Sequence, residues 1–175
     1  MNFKRLIIAF AAVLFMISCQ NKAEQTDTAA PPTISKSTQD KMDSVKLAQA
    51  WLVPAVEKFF NENHTEILEI CTPQYEEYKM DAINVDYDGG MTVEQFQKKW
   101  AGKYNINLDQ IGKSFLIGNQ DNGKIKFQSC VPVNDTTMVF DCKIEDLDFK
   151  EIFYRKITIS ANSGRFQIND IEEIH

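Results

Sequence analysis

Histidine is nearly absent from this chain, with only His64 and His175 among its 175 residues. Imidazole is the side chain whose proton equilibrium lies nearest neutral pH, so much acid–base catalysis and many metal sites depend on it. A catalytic site of the Ser-His-acid or Cys-His type would have to use His64, which lies in the polar segment 61–64. We interpret His64 as a solvated loop residue and predict that the protein is not an enzyme of that kind.

Cysteine is almost as scarce, with four in the chain. A zinc site made of cysteines alone normally uses four in close pairs, which the scattered Cys71, Cys130 and Cys142 do not provide. A three-residue loop centred on Thr136 would place Cys130 opposite Cys142. In the register that brings apolar side chains onto one face, however, Cys130 lies opposite Asp141. Cys130 and Cys142 then lie on different faces of the sheet, where no disulfide can form. We therefore predict that Cys71 and Cys142 are buried thiols, with a Cys130–Cys142 or Cys71–Cys142 bond as alternatives.

Positive charge is in deficit, because 19 Lys and Arg side chains stand against 25 Asp and Glu, for a formal net charge of −6. An acidic surface repels phosphate backbones and anionic lipid headgroups. The composition therefore predicts no nucleic-acid partner and no membrane attachment through a basic patch.

Long hydrophobic runs are also missing. The longest, at 6–17, falls short of the ~20 residues that a helix needs to span a bilayer. It follows Lys4 and Arg5 and precedes Ser18 and Cys19, which is the order of charged, apolar and small residues in a secretory signal peptide. We predict that residues 1–18 are such a signal.

The end of this signal, Met16-Ile17-Ser18-Cys19, resembles the lipobox of bacterial lipoproteins. The resemblance implies that Cys19 receives a diacylglyceryl group, that the chain is cleaved before it, and that the new amino group is acylated. It also implies a lipid-anchored protein of the bacterial cell envelope, at the outer membrane. Met16 departs from the more usual Leu, which leaves plain secretion or a retained anchor as alternatives.

Residues 19–44 are predicted to form a disordered tether. The segment is polar, contains Pro31-Pro32, and has only Ile34 and Met42 as large apolar residues. Such a segment cannot bury enough apolar surface to offset the entropy lost on ordering. Residues 45–175 then form a single globular domain of ordinary size.

Helices are predicted in the first half of that domain. Leu52, Val56 and Phe59 follow the spacing of one buried helical stripe. Pro54 either opens this helix at its first turn or lies inside a longer helix that begins near Asp40.

Two further helices are predicted from their first residues. Thr72 is a cap residue before Pro73, and the pair predicts a short helix over 73–83. Thr92 and Gln95 form a capping box, which predicts another helix that begins after Thr92.

Strands are predicted from Ser114 onward, where the apolar period changes to two. Three hairpins can be placed by asking which register brings apolar side chains onto one face. The predicted pairs are Ile117 with Phe127 and Asn119 with Ile125 around a loop at 121–123 with Gly123 left-handed, Val133 with Met138, Val131 with Phe140 and Phe127 with Ile144 around 134–137, and Ile159 with Phe166 and Ile157 with Ile168 around 161–164. The fold class is therefore α+β, with N-terminal helices packed on an antiparallel sheet of about five strands.

This order of elements, closed by a strand at 166–171, is similar to the nuclear-transport-factor-two-like (cystatin-like) α+β architecture found among envelope lipoproteins of unknown function. The resemblance covers roughly residues 45–174. It implies a curved, cone-like sheet wrapped around a helix, often with a cavity at its wide end. It implies no single activity.

The segment 84–96 matches part of an EF-hand calcium loop. Its two anchor positions depart from the pattern, because Asn84 stands at the first and Gln95 at the twelfth, where a bidentate carboxylate normally completes the shell. A glycine-bearing turn followed by a capped helix explains the same residues without an ion, and we favour it. If calcium binds, the expected ligands are Asp86, Asp88, the Gly90 carbonyl, and Glu94 or Gln95.

These features predict a non-enzymatic lipoprotein whose domain binds a small ligand or another envelope component, with no cofactor other than this calcium. One alternative is an enzyme of the isomerase or hydratase type, which needs an acid of raised pKa inside a pocket. The predicted inner face is almost wholly apolar, with Asp141 and Asp170 on the other face or near the rim. A second alternative is a structural or assembly lipoprotein with a weak calcium-binding loop, which a large exposed apolar patch would favour.

Overall fold

The computed structural model of the protein describes residues 35–64, 66–111, 115–118 and 121–174. The predicted signal peptide, Cys19 and most of the predicted tether lie outside these residues. The described elements are, in chain order, α1 (Lys36–Asn61), α2 (Pro73–Ile83), α3 (Val93–Trp100), β1 (Ile125–Pro132), β2 (Val139–Asp146), β3 (Glu151–Asn162) and β4 (Arg165–Ile174), with short 3-10 helices at Ile67–Glu69 and Leu108–Gln110. The predicted α+β class is confirmed, because the helices pack against an antiparallel sheet. None of the described helices has the length and apolar character needed to cross a membrane.

Helix α1 begins earlier than the sequence predicts. Its first turn is capped by Ser35, whose side chain accepts a hydrogen bond from the N–H of Thr38. Residues 36–44 are therefore helical, and the tether prediction is wrong for them. Adding residues to a helix that packing already stabilises costs little free energy. The low helix propensity of residues 36–44 therefore does not end the helix.

Pro54 lies inside α1, which decides between the two predicted arrangements. Its side chain is exposed, and its ring removes only one backbone hydrogen bond from the helix. The predicted stripe is confirmed, because Leu52, Val56 and Phe59 are buried against the sheet.

Helices α2 and α3 agree with their predicted starts. The Thr72 side chain accepts from the N–H of Tyr75 and caps α2, which runs over the predicted residues. Thr92 and Gln95 form both hydrogen bonds of the capping box before α3. The backbone N–H groups at each helix start thereby gain acceptors within the chain itself.

Within the described residues the sheet has four strands in the order β1-β2-β3-β4 rather than about five. The strand predicted before residue 121 does not form at residues 115–118, which are bends, although Leu116 and Ile117 are buried. Asn119 lies outside the described residues. Gly123 does not adopt the predicted left-handed conformation. Glycine is required there for close approach instead, because a Cβ at this position would collide with the Cβ of Asp148.

The β1–β2 register is right at one end and wrong at the other. Phe127 pairs with Ile144 as predicted, but a bulge after Phe127 shifts the remaining pairs by one residue. Val131 therefore pairs with Asp141 rather than Phe140, and its side chain is 57% exposed. A slip of one residue exchanges the two faces of a strand, and the alternation of apolar residues does not reveal where a bulge lies.

The same bulge reverses the prediction for Cys130. Cys130 pairs directly with Cys142, so the two side chains lie on the same, inner face of the sheet. The predicted burial of Cys142 is confirmed. Val133 also departs from its prediction, because its N–H donates to the carbonyl of Val139 rather than pairing the residue with Met138.

The β3–β4 connection is tighter than the predicted loop. Asn162 pairs with Arg165, which leaves Ser163 and Gly164 as a two-residue turn. Both have positive φ, at 51° and 77°, which gives the turn type that matches strand twist. The pairs are displaced from the predicted ones: Ile159 pairs with Ile168, and Ile157 with Ile171.

The start of α2 is fastened to the edge of the sheet. The N–H of Ile168 donates to the carbonyl of Ile70, and the N–H of Thr72 donates to the carbonyl of Ile168, both at 2.8 Å. The side-chain amide of Gln167 adds a bond of 2.8 Å to the carbonyl of Cys71. These bonds hold α2 beside β4.

Candidate functional site

A pocket of about 290 Å³ lies between α2 and β4. One side is formed by Tyr75, Tyr78 and Lys79 of α2, and the other by residues 170–173 of β4. Its remaining wall comes from Asn105, Gln110, Ile111 and Leu116. This volume is near the lower end for a small-molecule site, so the pocket suits a compact ligand.

The aromatic wall of the pocket is rigidly supported. Tyr78 stacks on Tyr104 with ring centroids 4.4 Å apart and meets Trp100 edge-on at 5.5 Å. Its hydroxyl donates to the carbonyl of Asn105 at 2.8 Å. Burial raises the pKa of Tyr78, so this hydroxyl stays protonated and continues to donate. The wall is therefore fixed before any ligand arrives.

One buried cation, Lys79, lines the pocket, and a second, Arg155, contacts two of the lining residues. The Lys79 side chain is almost fully buried, and burial lowers its pKa, although the carboxylates of Glu173 and Asp170 oppose that effect. Arg155 is also buried, with its Nε donating to the carbonyl of Leu116 at 2.7 Å. Its Nη2 lies 3.7 Å from the Glu173 carboxylate. These charges give the polar side of the pocket a positive component to which a ligand anion would be attracted.

The carboxyl group of Asp170 is perturbed in the opposite direction. Burial raises the pKa of this carboxyl group. Two contacts only partly counteract the effect of burial: the N–H of Ile171 donates to Oδ1 at 2.9 Å, and the charge of Lys79 favours the ionised form. An acid whose pKa is raised inside a pocket can hold or exchange a proton nearer neutral pH than usual. Asp170, predicted to lie on the outer face or near the rim, is thus part of the pocket wall.

The pocket therefore offers charges of both signs within a short span. Lys79 supplies positive charge, with Arg155 close to the lining, and Asp170 and Glu173 supply negative charge. Tyr75 and Tyr78 add apolar ring surface beside them. This combination favours a small polar ligand that carries both an anionic group and a hydrogen-bond donor or cationic group, rather than a purely apolar one.

Three of the predicted calcium ligands line concave surfaces of the protein. Asp88 and Gly90 line one concave surface, whereas Asp86 lines a different one together with residues of α2. Among the described residues, no group of three or more His, Cys, Asp or Glu side chains is arranged to hold a metal ion. The side-chain oxygen of Gln95 already accepts from the N–H of Thr92. Calcium binding by Asp86, Asp88, Gly90 and Glu94 therefore stays a prediction from sequence.

His64 is close to two acids rather than to a nucleophile. Its Nδ1 lies 2.5 Å from Oε2 of Glu69, and its Nε2 lies 3.2 Å from Oε2 of Glu62. Hydrogen bonding to Glu62 and to Glu69 raises the pKa of the imidazole. The arrangement fits a charged loop contact.

Sequence reasoning missed Lys79 and Arg155, although a signal for each is present. Lys79 follows Tyr75 by four residues and so lies on the same buried face of α2. Arg155 is in phase with Ile157 and Ile159 on β3, which are both buried. A cation in the inward phase of an element is rare without a partner, so each of these positions could have been singled out.

Cys19, the predicted lipidation site, lies outside the described residues. Comparisons with known proteins add no relative: the chain matches no protein-family model, no curated protein and no solved structure.

Proposed function

We propose that this chain is a lipid-anchored envelope protein whose α+β domain binds a small zwitterionic molecule in the pocket between α2 and β4. The observation that carries the ligand proposal is that Lys79, Asp170 and Glu173 line one pocket beside Tyr75 and Tyr78, with the buried Arg155 3.7 Å from Glu173. The lipid anchor rests on the sequence Met16-Ile17-Ser18-Cys19. The cone-like, nuclear-transport-factor-two-like architecture, which often has a cavity, is part of the same proposal and rests on the order of helices and strands.

Ligand binding is tested with a panel of defined probes: free amino acids and dipeptides as zwitterions, a neutral disaccharide, and a medium-chain fatty acid. Thermal shift and native mass spectrometry of the full-length chain report binding. We expect zwitterions to raise the melting temperature of the protein and to saturate a single binding site. The disaccharide and the fatty acid should neither raise the melting temperature nor bind. A panel in which no zwitterion binds would overturn the proposal.

The role of Lys79 is tested with Lys79→Met. Removing a buried charge that meets a ligand anion should weaken zwitterion binding by about tenfold or more. The matched control is Lys103→Met, because Lys103 is an exposed cation 5.5 Å from the Trp100 ring and outside the pocket lining. Equal affinity in Lys79→Met and the wild type would contradict the assignment. Asp170→Asn, which keeps the shape of the side chain, gives a second measure if Lys79→Met folds poorly.

A second candidate is an enzyme of the isomerase or hydratase type that uses Asp170 as its acid or base. The raised pKa of Asp170 inside the pocket favours it. The two functions share one site and are separated by Asp170→Asn. An enzyme would lose turnover of a bound ligand while keeping affinity within a few-fold, whereas a binding protein shows no turnover before or after the change.

A further inference from the structure

Two thiols lie directly opposite each other in the central hairpin of the sheet. Cys130 of β1 pairs with Cys142 of β2, and their Sγ atoms are 3.4 Å apart. Both are free thiols in this structure. The bulge after Phe127 creates the alignment, because the unshifted register would oppose Cys130 with Asp141. The pair is therefore a product of the bulge rather than of regular alternation.

The hydrogen-bond pattern places the two cysteines where a cross-strand bond can form. The N–H of Val133 donates to the carbonyl of Val139 at 2.8 Å, so this is a hydrogen-bonded pair. Such pairs alternate along an antiparallel ladder, which makes Cys130–Cys142 a non-hydrogen-bonded pair. The Cα atoms of a non-hydrogen-bonded pair lie about 4.5 Å apart. A disulfide spans Cα separations of roughly 4.4 to 6.8 Å, so the backbone fits one without a large movement.

The two thiols differ in access and acidity. Cys130 is half-buried, whereas Cys142 is only 3% exposed. The S–H of Cys142 donates to Sγ of Cys130, and this hydrogen bond lowers the pKa of Cys130 and raises the pKa of Cys142. Because the thiolate is the nucleophile in exchange reactions, Cys130 is suited to meet an oxidant first and Cys142 to complete the bond.

We propose that Cys130 and Cys142 are a dithiol–disulfide site, oxidised by thiol–disulfide exchange with a disulfide donor. In the first step the Cys130 thiolate attacks one donor sulfur, the donor S–S bond breaks, and one donor thiolate leaves with the electron pair. In the second step Cys142 gives up its proton and attacks Sγ of Cys130, which releases the second donor thiolate. The two protein thiols lose two electrons and two protons, and the donor gains them as two thiols.

The third described cysteine provides a control, because it has a different environment. Cys71 is fully buried, and its backbone bridges to Ile168 of β4. Burial raises the pKa of its thiol, so it reacts poorly as a thiolate. We expect Cys71 to take no part in the exchange.

The test uses the full-length chain equilibrated with oxidised and reduced glutathione, quenched with acid, alkylated with N-ethylmaleimide and digested with trypsin. Cleavage after Lys126 and Lys143 releases peptide 127–143, whose only cysteines are Cys130 and Cys142. We expect this peptide to be lighter by two hydrogen atoms and to carry no maleimide. Cleavage before Asp135 and Asp141 should leave fragments 127–134 and 141–143 joined to each other until they are reduced.

Variants then report the order of the two steps. Cys142→Ala should accumulate glutathione on Cys130, because the thiol that displaces it is gone, and Cys130→Ala should leave Cys142 unmodified. Cys71→Ala should behave as the wild type. Two maleimides on peptide 127–143 after oxidation, or a bond from either cysteine to Cys71 or to a second chain, would overturn the proposal. The wild-type measurement stands without the variants if one of them fails to fold.

A comparison with unfolded protein separates a built site from two neighbouring thiols in a flexible chain. The fold has already closed the loop between Cys130 and Cys142, so the equilibrium constant for oxidation should be about a hundredfold larger in native buffer than in concentrated urea. Equal constants in the two conditions would show that the fold does not favour the bond, against the proposal.

Discussion

The carboxylate of Asp146 joins three backbone groups at one end of the sheet. The residue is 1% exposed. Its Oδ1 accepts from the N–H groups of Asp148 and Phe149 at 3.0 and 3.1 Å, and its Oδ2 accepts from Gly123 at 2.7 Å. A buried carboxylate is tolerated only with such donors, and here they connect the β2–β3 turn to the segment that enters β1.

Asp146→Ala should lower the free energy of unfolding by about 3 kcal/mol, because it leaves three N–H groups without their acceptor. Urea denaturation followed by circular dichroism measures the loss. Asp148→Ala is the matched control, since its carboxylate accepts one bond, from the exposed N–H of Lys124. That change should cost about 1 kcal/mol. Equal losses for the two variants would contradict the role assigned to Asp146.

His64 should titrate above its usual value of about 6.5, because Glu62 and Glu69 stabilise its protonated form and raise its pKa. Proton NMR of the two imidazoles measures this, with His175 as the internal comparison. Glu62→Gln and Glu69→Gln should each lower the pKa of His64. Unchanged values in both variants would show that the two contacts do not form in solution.

The same pKa shift has a defined effect on stability. A folded-state pKa above the unfolded one favours the folded protein below the unfolded pKa, and the contribution is lost as pH rises through the folded pKa. We therefore expect the wild type to have a higher urea midpoint of unfolding than His64→Gln at pH 5. This difference should shrink as the pH rises and the imidazole of His64 loses its proton. A difference that grows with pH would reverse the sign of this argument.

Among the elements, α1 protects the free edge of the sheet. Strand β1 lies at that edge, and polar side chains from one side of α1 occupy its open backbone groups. The Asn61 amide donates to the carbonyl of Ile125 and accepts from its N–H, both at 2.9 Å. Glu57 accepts from the N–H of Phe127 at 2.9 Å, and Gln49 donates to the carbonyl of Cys130. An edge covered in this way cannot pair with another chain.

Asn61→Ala should both weaken the fold and expose the edge. We expect a loss of about 1 to 2 kcal/mol in unfolding free energy from the two missing bonds, and more self-association at high concentration. Urea denaturation and light scattering measure the two effects. Lys58→Ala is the control in the same helical turn, because its ion pair with Glu62 is exposed and contributes little. Self-association equal in the two variants would argue against edge protection.

The helices could be predicted from sequence better than the sheet. The starts of α2 and α3 depend on Thr72 and Thr92, whose hydrogen bonds reach only three residues along the chain. Strand register depends on the bulge after Phe127 and on the tight turn at Ser163-Gly164, and neither changes the alternation of apolar residues nearby. Hydrogen bonds between residues close in sequence can therefore be predicted from the sequence, whereas a bulge of one extra residue within a strand cannot.

The pocket could not be predicted for a different reason. Lys79 and Asp170 lie on elements that are far apart in sequence, and the backbone bonds between residues 70–72 and Ile168 bring those elements together. Sequence reasoning placed Asp170 on the other face of the sheet or near the rim, and it had no means of placing Lys79 in the same pocket. Only the packing of α2 on the sheet edge decides which charges face each other.

At the scale of the whole molecule, the proposed membrane attachment rests on acylation of Cys19. The formal net charge of −6 gives the chain no net electrostatic attraction to anionic lipid. Each methylene of an acyl chain contributes ~0.8 kcal/mol when buried, so two or more chains on one sulfur and one amine would hold the protein firmly.

Cys19→Ser should therefore move the protein from the detergent-requiring membrane fraction to the aqueous fraction. The domain itself should be unaffected, because the first described helix begins only at Lys36. Its melting temperature should match that of the wild type. Phase partitioning and intact mass measure the change, with loss of the acyl mass expected. Cys130→Ser is the matched control, since it removes a thiol that lies within the sheet. If Cys19→Ser and Cys130→Ser both stayed in the membrane fraction, the anchor would have to lie elsewhere in the chain.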